Sequence, residues 1–162
     1  MGRTRVERGP ASPAERGRGG ASPADWALRI SFVLALSATL GSLFVSELLG
    51  YPPCSLCWYQ RMAMFPLALV LFVALWSNDR GHVRYSLPLS LVGLAIAAYH
   101  NLLYYGVIPE SITPCQQGVS CKERQVELLG FVTVPLMSFA AFSCLSALGW
   151  IAARERAKES DA

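Results

Sequence analysis

Four long apolar runs dominate this chain, at residues 26–49, 58–76, 85–105 and 128–153. A helix needs about 20 residues to cross roughly 30 Å of hydrocarbon, and each run is near or above that length. None shows the strict alternation of a membrane barrel strand. Hydrophobic residues make up 53% of the sequence and charged residues only 15%, too apolar a balance for an ordinary soluble domain. The 162 residues suffice for one domain. The reading is an all-α membrane protein, a bundle of four transmembrane helices spanning residues 26–153.

An even number of spans puts both termini on one side. The N-terminal stretch carries Arg3, Arg5, Arg8, Arg16 and Arg18, with Arg29 just inside the first span. Arg80 and Arg84 fall between spans two and three, and Arg154, Arg156 and Lys158 follow span four. Only Arg61, Lys122 and Arg124 face the other way, so eleven of fourteen basic residues share a side. The positive-inside rule makes that side, and both termini, cytoplasmic. The net charge of +3 is therefore an orientation signal and gives no reason to expect nucleic acid. Residues 1–25 are rich in Arg, Gly, Pro and Ala with little to bury, which predicts a disordered basic tail. A shorter tail, 154–162, closes the chain. The first run is longer than a signal-peptide core and reaches Glu47 without a convincing cleavage site, so it reads as a retained helix. No internal repeat accompanies the four-span rhythm.

That topology sorts the five cysteines. Cys54 and Cys57 fall in a short outer loop, residues 50–57, and Cys115 and Cys121 in a longer one, residues 106–127. Both pairs face the side where disulfides persist. Cys144 lies mid-span in helix four and reads as a small buried apolar residue. As plain staples, rings this small would contribute only about 2 kcal/mol each. A bundle that already satisfies its backbone internally has little need of that.

The first pair has surroundings that change its chemistry. Cys54 and Cys57 are neighbours on a first helical turn, where free amide groups and the helix dipole favour a thiolate. Arg61, four residues beyond Cys57, lies on the same face. A lowered thiol pKa makes a cysteine a good nucleophile and leaving group. Spacing alone leaves Cys-x-x-Cys open between redox and metal chemistry; the helix start, Arg61 and the second outer pair favour redox. Cys115 and Cys121 enclose a Gln-Gln-Gly segment without apolar anchoring, accessible to another protein's thiolate and equally compatible with a simple staple.

Taken together, GSLFVSELLGYPPCSLCWYQR and PCQQGVSCKERQVELLGFVTVP resemble the DsbB/BdbC family of bacterial disulfide-formation proteins over nearly everything from residue 26 to 153. The resemblance rests on CxxC-WYQR, the outer CX5C, the Glu-Arg-Gln after it and the Gly-Phe…Pro of span four, in that order. The short outer pair places the chain near the BdbC-like branch.

The resemblance implies a thiol:quinone oxidoreductase of the bacterial cytoplasmic membrane. Cys54 and Cys57 would form the redox-active disulfide that membrane quinone, ubiquinone or menaquinone, re-oxidises, with Cys57 nearest the ring. Cys115 and Cys121 would form the second redox-active disulfide. Cys115 would be attacked by a DsbA/BdbD-like thioredoxin-fold thiol oxidase, and Cys121 would pass the electrons to Cys54. Arg61 matches the arginine that supports the quinone and the transient thiolate. The partners so implied are that oxidase, the quinone pool and the lipid bilayer.

Other residues carry weaker signals. Glu47 near the outer end of span one reads mainly as a solvated interfacial acid, although an ionisable residue in a bundle is a functional candidate. His100 sits about 8 Å of helix rise below the outer end of span three, within reach of a quinone oxygen. Tyr99, Tyr104 and Tyr105 around it read as an interfacial belt. Gln60, three residues beyond Cys57, reads first as finishing the interfacial turn, with lining the same mouth as the alternative, and Pro66 and Pro135 read as helix kinks. Arg124 divides evenly between a family role and a surface charge.

Two rival readings come from other classes. One is a metal-binding or transport protein with a four-sulfur site from Cys54, Cys57, Cys115 and Cys121. The pairing of CxxC with CX5C and an oxidising compartment both weigh against it. The other is a scaffold with inert staples. A quinone reductase of the vitamin K kind places its active CxxC on a different span.

Overall fold

The computed structural model describes residues 22–108, 127–128 and 132–161. Four long helices account for most of them: α1 (Pro23–Leu43), α2 (Ser55–Ser77), α3 (Val83–Tyr104) and α4 (Val134–Asp161). Each is long and apolar enough to cross a membrane. α1 packs against α2 and α4, and α3 packs against the same two, giving a four-sided bundle.

Local chemistry sets the helix ends. Ser22 caps α1 in a reciprocal capping box with Asp25, and Pro23 occupies the first turn, where no amide is missed. α2 ends at Asn78, whose left-handed backbone (φ 50°) closes the helix. Asp79 then accepts from the Gly81 amide at 2.6 Å, turning the chain within a few residues into α3. At its other end α1 widens into a π turn, Phe44–Leu48, in which the Leu49 amide reaches back to the Phe44 carbonyl at 3.2 Å.

The outer surface is as apolar as the interior. Trp76 is 84% exposed and Met62, Leu69, Val33 and Phe72 face outward as well, a pattern suited to lipid. Exposed aromatics ring both ends: Trp26, Trp76, Tyr85 and Trp150 at one, Tyr51, Trp58, Tyr59 and Tyr105 at the other. Such belts mark the two membrane interfaces. Inside, contacts rest on small residues, as in membrane bundles generally. Ala35 and Ala97 are fully buried, and a Cβ on Gly93 would run into the Phe142 ring.

Four helices stand where the four apolar runs were read, with different ends: α2 begins within the stretch read as an outer loop, and α4 continues to Asp161 through the stretch read as a tail. Span four, read from residue 128, starts as a helix only at Val134. Glu127–Leu128 instead pairs antiparallel with Val132–Thr133. Residues 128, 132 and 133 of the apolar run thus belong to a short antiparallel pairing ahead of α4. Pro66 lies inside α2, whereas Pro135 is in the first turn of α4, where a proline begins a helix and does not kink it.

Candidate active site

Cys54 is the N-cap of α2. Pro52 and Pro53 precede it, and its extended backbone (φ −68°, ψ 168°) turns the sulfur back over the first helical turn. There Cys54 Sγ accepts from the Cys57 backbone N–H at 3.4 Å, and the two sulfurs stand 2.9 Å apart as thiols. The helix terminus therefore serves Cys54, the cap, more directly than Cys57. Cys54 is buried against Leu56 and Leu103, with Tyr99 and Ile108 at the edge, while Cys57 is partly open. Hydrogen bonding from the Cys57 thiol, aided by His100 and opposed by burial, draws the Cys54 thiol from its ordinary 9.0 down to about 4.

Two residues discounted in the sequence complete the cluster. Gln60 and His100 are both buried, and Gln60 Nε2 stands 3.3 Å from His100 Nδ1. An amide nitrogen can only donate, so Nδ1 accepts and the ring proton resides on Nε2. That Nε2 is 4.0 Å from Cys54 Sγ. Gln60 does not end an interfacial turn, and His100 does not belong to the aromatic belt. Their proximity arises because α2 and α3 pack together, placing residues 40 positions apart side by side.

Arg61 lies beside the pair with its charge anchored elsewhere. Its Nη2 donates to the Ser42 carbonyl at 2.8 Å, at the point where α1 passes into the π turn. The same carbonyl also accepts from the Ser46 hydroxyl at 3.3 Å. Glu47, on the π turn, is exposed as expected of a solvated interfacial acid.

Cys57, Cys54, Gln60, Arg61 and His100 all open onto one cavity of about 780 Å³. Its walls come from all four helices and are mostly apolar, including Leu34, Val45, Met64, Phe65, Met137 and Phe142. An apolar cleft with a few convergent polar groups is the usual form of a small-molecule site. Cys144 also lines it and is exposed, correcting its reading as a buried core residue; it lies on the α4 wall of the cleft. Cys115, Cys121, Lys122 and Arg124 lie outside the described residues.

The family model "Disulfide bond formation protein DsbB" matches residues 24–152. A "Probable disulfide formation protein" of Metapseudomonas resinovorans is 42% identical over 122 residues, covering 75% of this chain and 85% of that one. "Disulfide bond formation protein C" of Bacillus subtilis is 40% identical over 115 residues, 71% of this chain and 83% of its own. A "Probable disulfide formation protein" of Deinococcus radiodurans is 38% identical over 148 residues, covering 85% and 96%. No solved structure matches.

Proposed function

Since this chain belongs to the DsbB family of disulfide bond formation proteins, a family of disulfide-generating membrane oxidoreductases, we propose that it re-oxidises an extracytoplasmic thioredoxin-fold thiol oxidase of the DsbA/BdbD kind and delivers the electrons to membrane quinone. One observation carries the reading: two sulfurs 2.9 Å apart, one capping a helix, at the mouth of a 780 Å³ apolar cavity. The charge asymmetry supports placing both termini in the cytoplasm of a bacterial inner membrane, with the cysteine end outside.

The relay balances as exchanges between sulfurs. The partner's thiolate attacks Cys115 and breaks the Cys115–Cys121 bond. Its second thiolate then expels Cys115 and leaves the partner oxidised. Cys121 attacks Cys54, and Cys57 departs as a thiolate. Cys115 attacks Cys121, restores the loop bond and releases Cys54. The pair Cys54 and Cys57 now holds two electrons, which it surrenders when its own bond closes.

The cleft suits a quinone, whether ubiquinone or menaquinone. Its apolar walls match an isoprenoid-bearing ring, and Arg61 is the charged side chain on its lining, suited to a ring oxygen. When bound, the quinone supplies the two-electron acceptor chemistry that the side chains lack. The chain's own part is to hold Cys57 at the cleft, keep Arg61's positive charge nearby through Ser42, and exclude water with the surrounding helices.

The metal reading has one observation in its favour. Cys54, Cys57 and His100 place their ligand atoms within 4.8 Å of one another. Two thiolates on a tetrahedral zinc with bonds of about 2.3 Å would stand about 3.8 Å apart. The sulfurs here are closer together than that.

The test uses purified protein in detergent, a reduced thioredoxin-fold partner and a soluble quinone. Quinol formation that is lost in both Cys57→Ser and Cys115→Ser supports the relay. Turnover at the parent rate in both variants overturns it.

A further inference from the structure

We propose that His100, oriented by Gln60, is a catalytic hydrogen-bond donor to Cys54 that stabilises the Cys54 thiolate from its release by Cys121 until the Cys54–Cys57 bond closes. The inference rests on the relay above and assigns a residue to it.

The argument begins with two buried polar side chains on different helices. His100 is 2% exposed and Gln60 6%. Buried polar groups in an apolar bundle are costly unless paired. The pairing they make is directional: the Gln60 amide donates to Nδ1, so the Nε2 proton points away from Gln60 and towards Cys54 Sγ, 4.0 Å off. The amide thus fixes one tautomer of the imidazole. If Gln60 were merely filling space, an apolar side chain in its place would leave the ring free to present either nitrogen.

The other titratable and charged groups around Cys54 have different placements among the described residues. Cys57 shares its sulfur contact, and Arg61, also on α2, is anchored on Ser42. From α3 come His100, Tyr104, which lines the cavity, and Tyr99, which packs by its ring against the same cluster. Tyr51 lies on the connection before α2, Cys144 stands across the cavity on α4, and Glu47 is exposed on the π turn. His100 is the group from a second helix with a polar hydrogen directed at the sulfur.

A donor at this point assists two moments of the relay. Cys54 is the leaving group when Cys115 recaptures Cys121, and it is a thiolate again until its bond to Cys57 closes. In both, the electron pair stays on sulfur and the proton stays on Nε2, so His100 is neither oxidised nor consumed. The donor interacts more strongly with a thiolate than with a disulfide sulfur. It therefore favours the open pair and makes the closed bond a stronger oxidant.

The experiment isolates Cys54 in the full chain by combining Cys57→Ala, Cys115→Ser, Cys121→Ser and Cys144→Ser. The rate of alkylation by iodoacetamide is followed against pH in detergent. Adding His100→Ala is expected to raise the midpoint by about one unit, lowering the rate on the acid limb about tenfold. His100→Gln keeps a donor and should fall between the two. Gln60→Leu releases the tautomer and should give a smaller rise than His100→Ala. Thermal unfolding of each variant separates a local change from loss of fold. A folded His100→Ala protein with the midpoint of its background overturns the proposal, as does a folded His100→Gln protein with a midpoint as high as that of His100→Ala. Alkylation needs neither quinone nor partner, so its failure leaves the relay standing. Loss of the relay would show separately in the quinol assay.

Discussion

The two ends of the bundle are built to opposite designs, and each contains a buried histidine that shows the difference. At the end bearing Trp76 and Trp150, His82 Nδ1 pairs with the Asp79 carbonyl at 2.8 Å within a tight local turn. The space beside it is about 10 Å³, lined by Ser31, Ser86 and Ser90. Ser146 donates to Ser90 across α3 and α4 at 3.3 Å. At the cysteine end, His100 reaches from α3 to α2 and onto a sulfur, beside a void of about 780 Å³. One histidine is tied to its own turn and closes the packing. The other is tied to groups that change charge. Close packing holds the bundle at one end and leaves the other end hollow for chemistry.

If that division is right, filling the hollow should abolish activity without harming stability. Gly41 lines the cavity, and a Cβ there would meet nothing within 4 Å. Gly41→Trp should lower quinone-dependent turnover about a hundredfold, or roughly 2.7 kcal/mol in the barrier. The melting temperature should hold or rise, because glycine is a poor residue inside a helix. A large loss of stability with activity retained would break the comparison.

The next effect sharpens the electrical side of the contrast. With the Cys54 thiol drawn down to about 4, the reduced protein carries a thiolate there from about pH 5 upward. Alkylation of Cys54 should be flat from about pH 5 to 8 and fall as pH drops through 4. An ordinary thiol, at 9.0, would be less ionised at pH 5 by about four orders of magnitude. The sign for stability follows. A depressed pKa contributes stability to the reduced form that is full above the ordinary thiol value of 9.0 and is lost as pH falls towards 4. Rates that climb steadily through pH 8 contradict the placement of the charge.

Smaller effects test the packed regions. Gly93→Ala pushes a methyl into the Phe142 ring, which is itself buried, and should cost about 1–3 kcal/mol in unfolding free energy. Ser146→Ala removes the bond to Ser90 and should cost about 0.6 kcal/mol, the usual size of such bonds inside membrane bundles. Quinol formation at the parental rate in the Ser146→Ala variant is the expected control. A drop there would mean the two ends are coupled.

The helices were legible because their cause is local. Length and hydropathy fix a span residue by residue, and Cys54 could be placed at a helix start from its neighbours. What escaped was whatever depended on a second element. Nothing in the spacing of Gln60 and His100 announces that α2 and α3 bring them together. Arg61 was visible as a charge beside Cys57, but its anchor on Ser42 required the neighbouring helix. Cys144 was judged by its apolar flanks, whereas its exposure follows from the cleft that all four helices enclose. The start of α4 was misplaced because residues 128–133 are apolar enough to span, and the strand pairing of Glu127–Leu128 with Val132–Thr133 leaves no mark on hydropathy.

The widened turn at Phe44–Leu48 has a consequence for how such a chain can vary. A π turn amounts to one surplus residue in an otherwise regular helix. Deleting a single residue there would restore regular winding and leave the flanking residues in phase. The Ser42 carbonyl that holds the Arg61 guanidinium lies just upstream of the turn and would keep its place. One helix can thereby change its length without disturbing a charge carried by another.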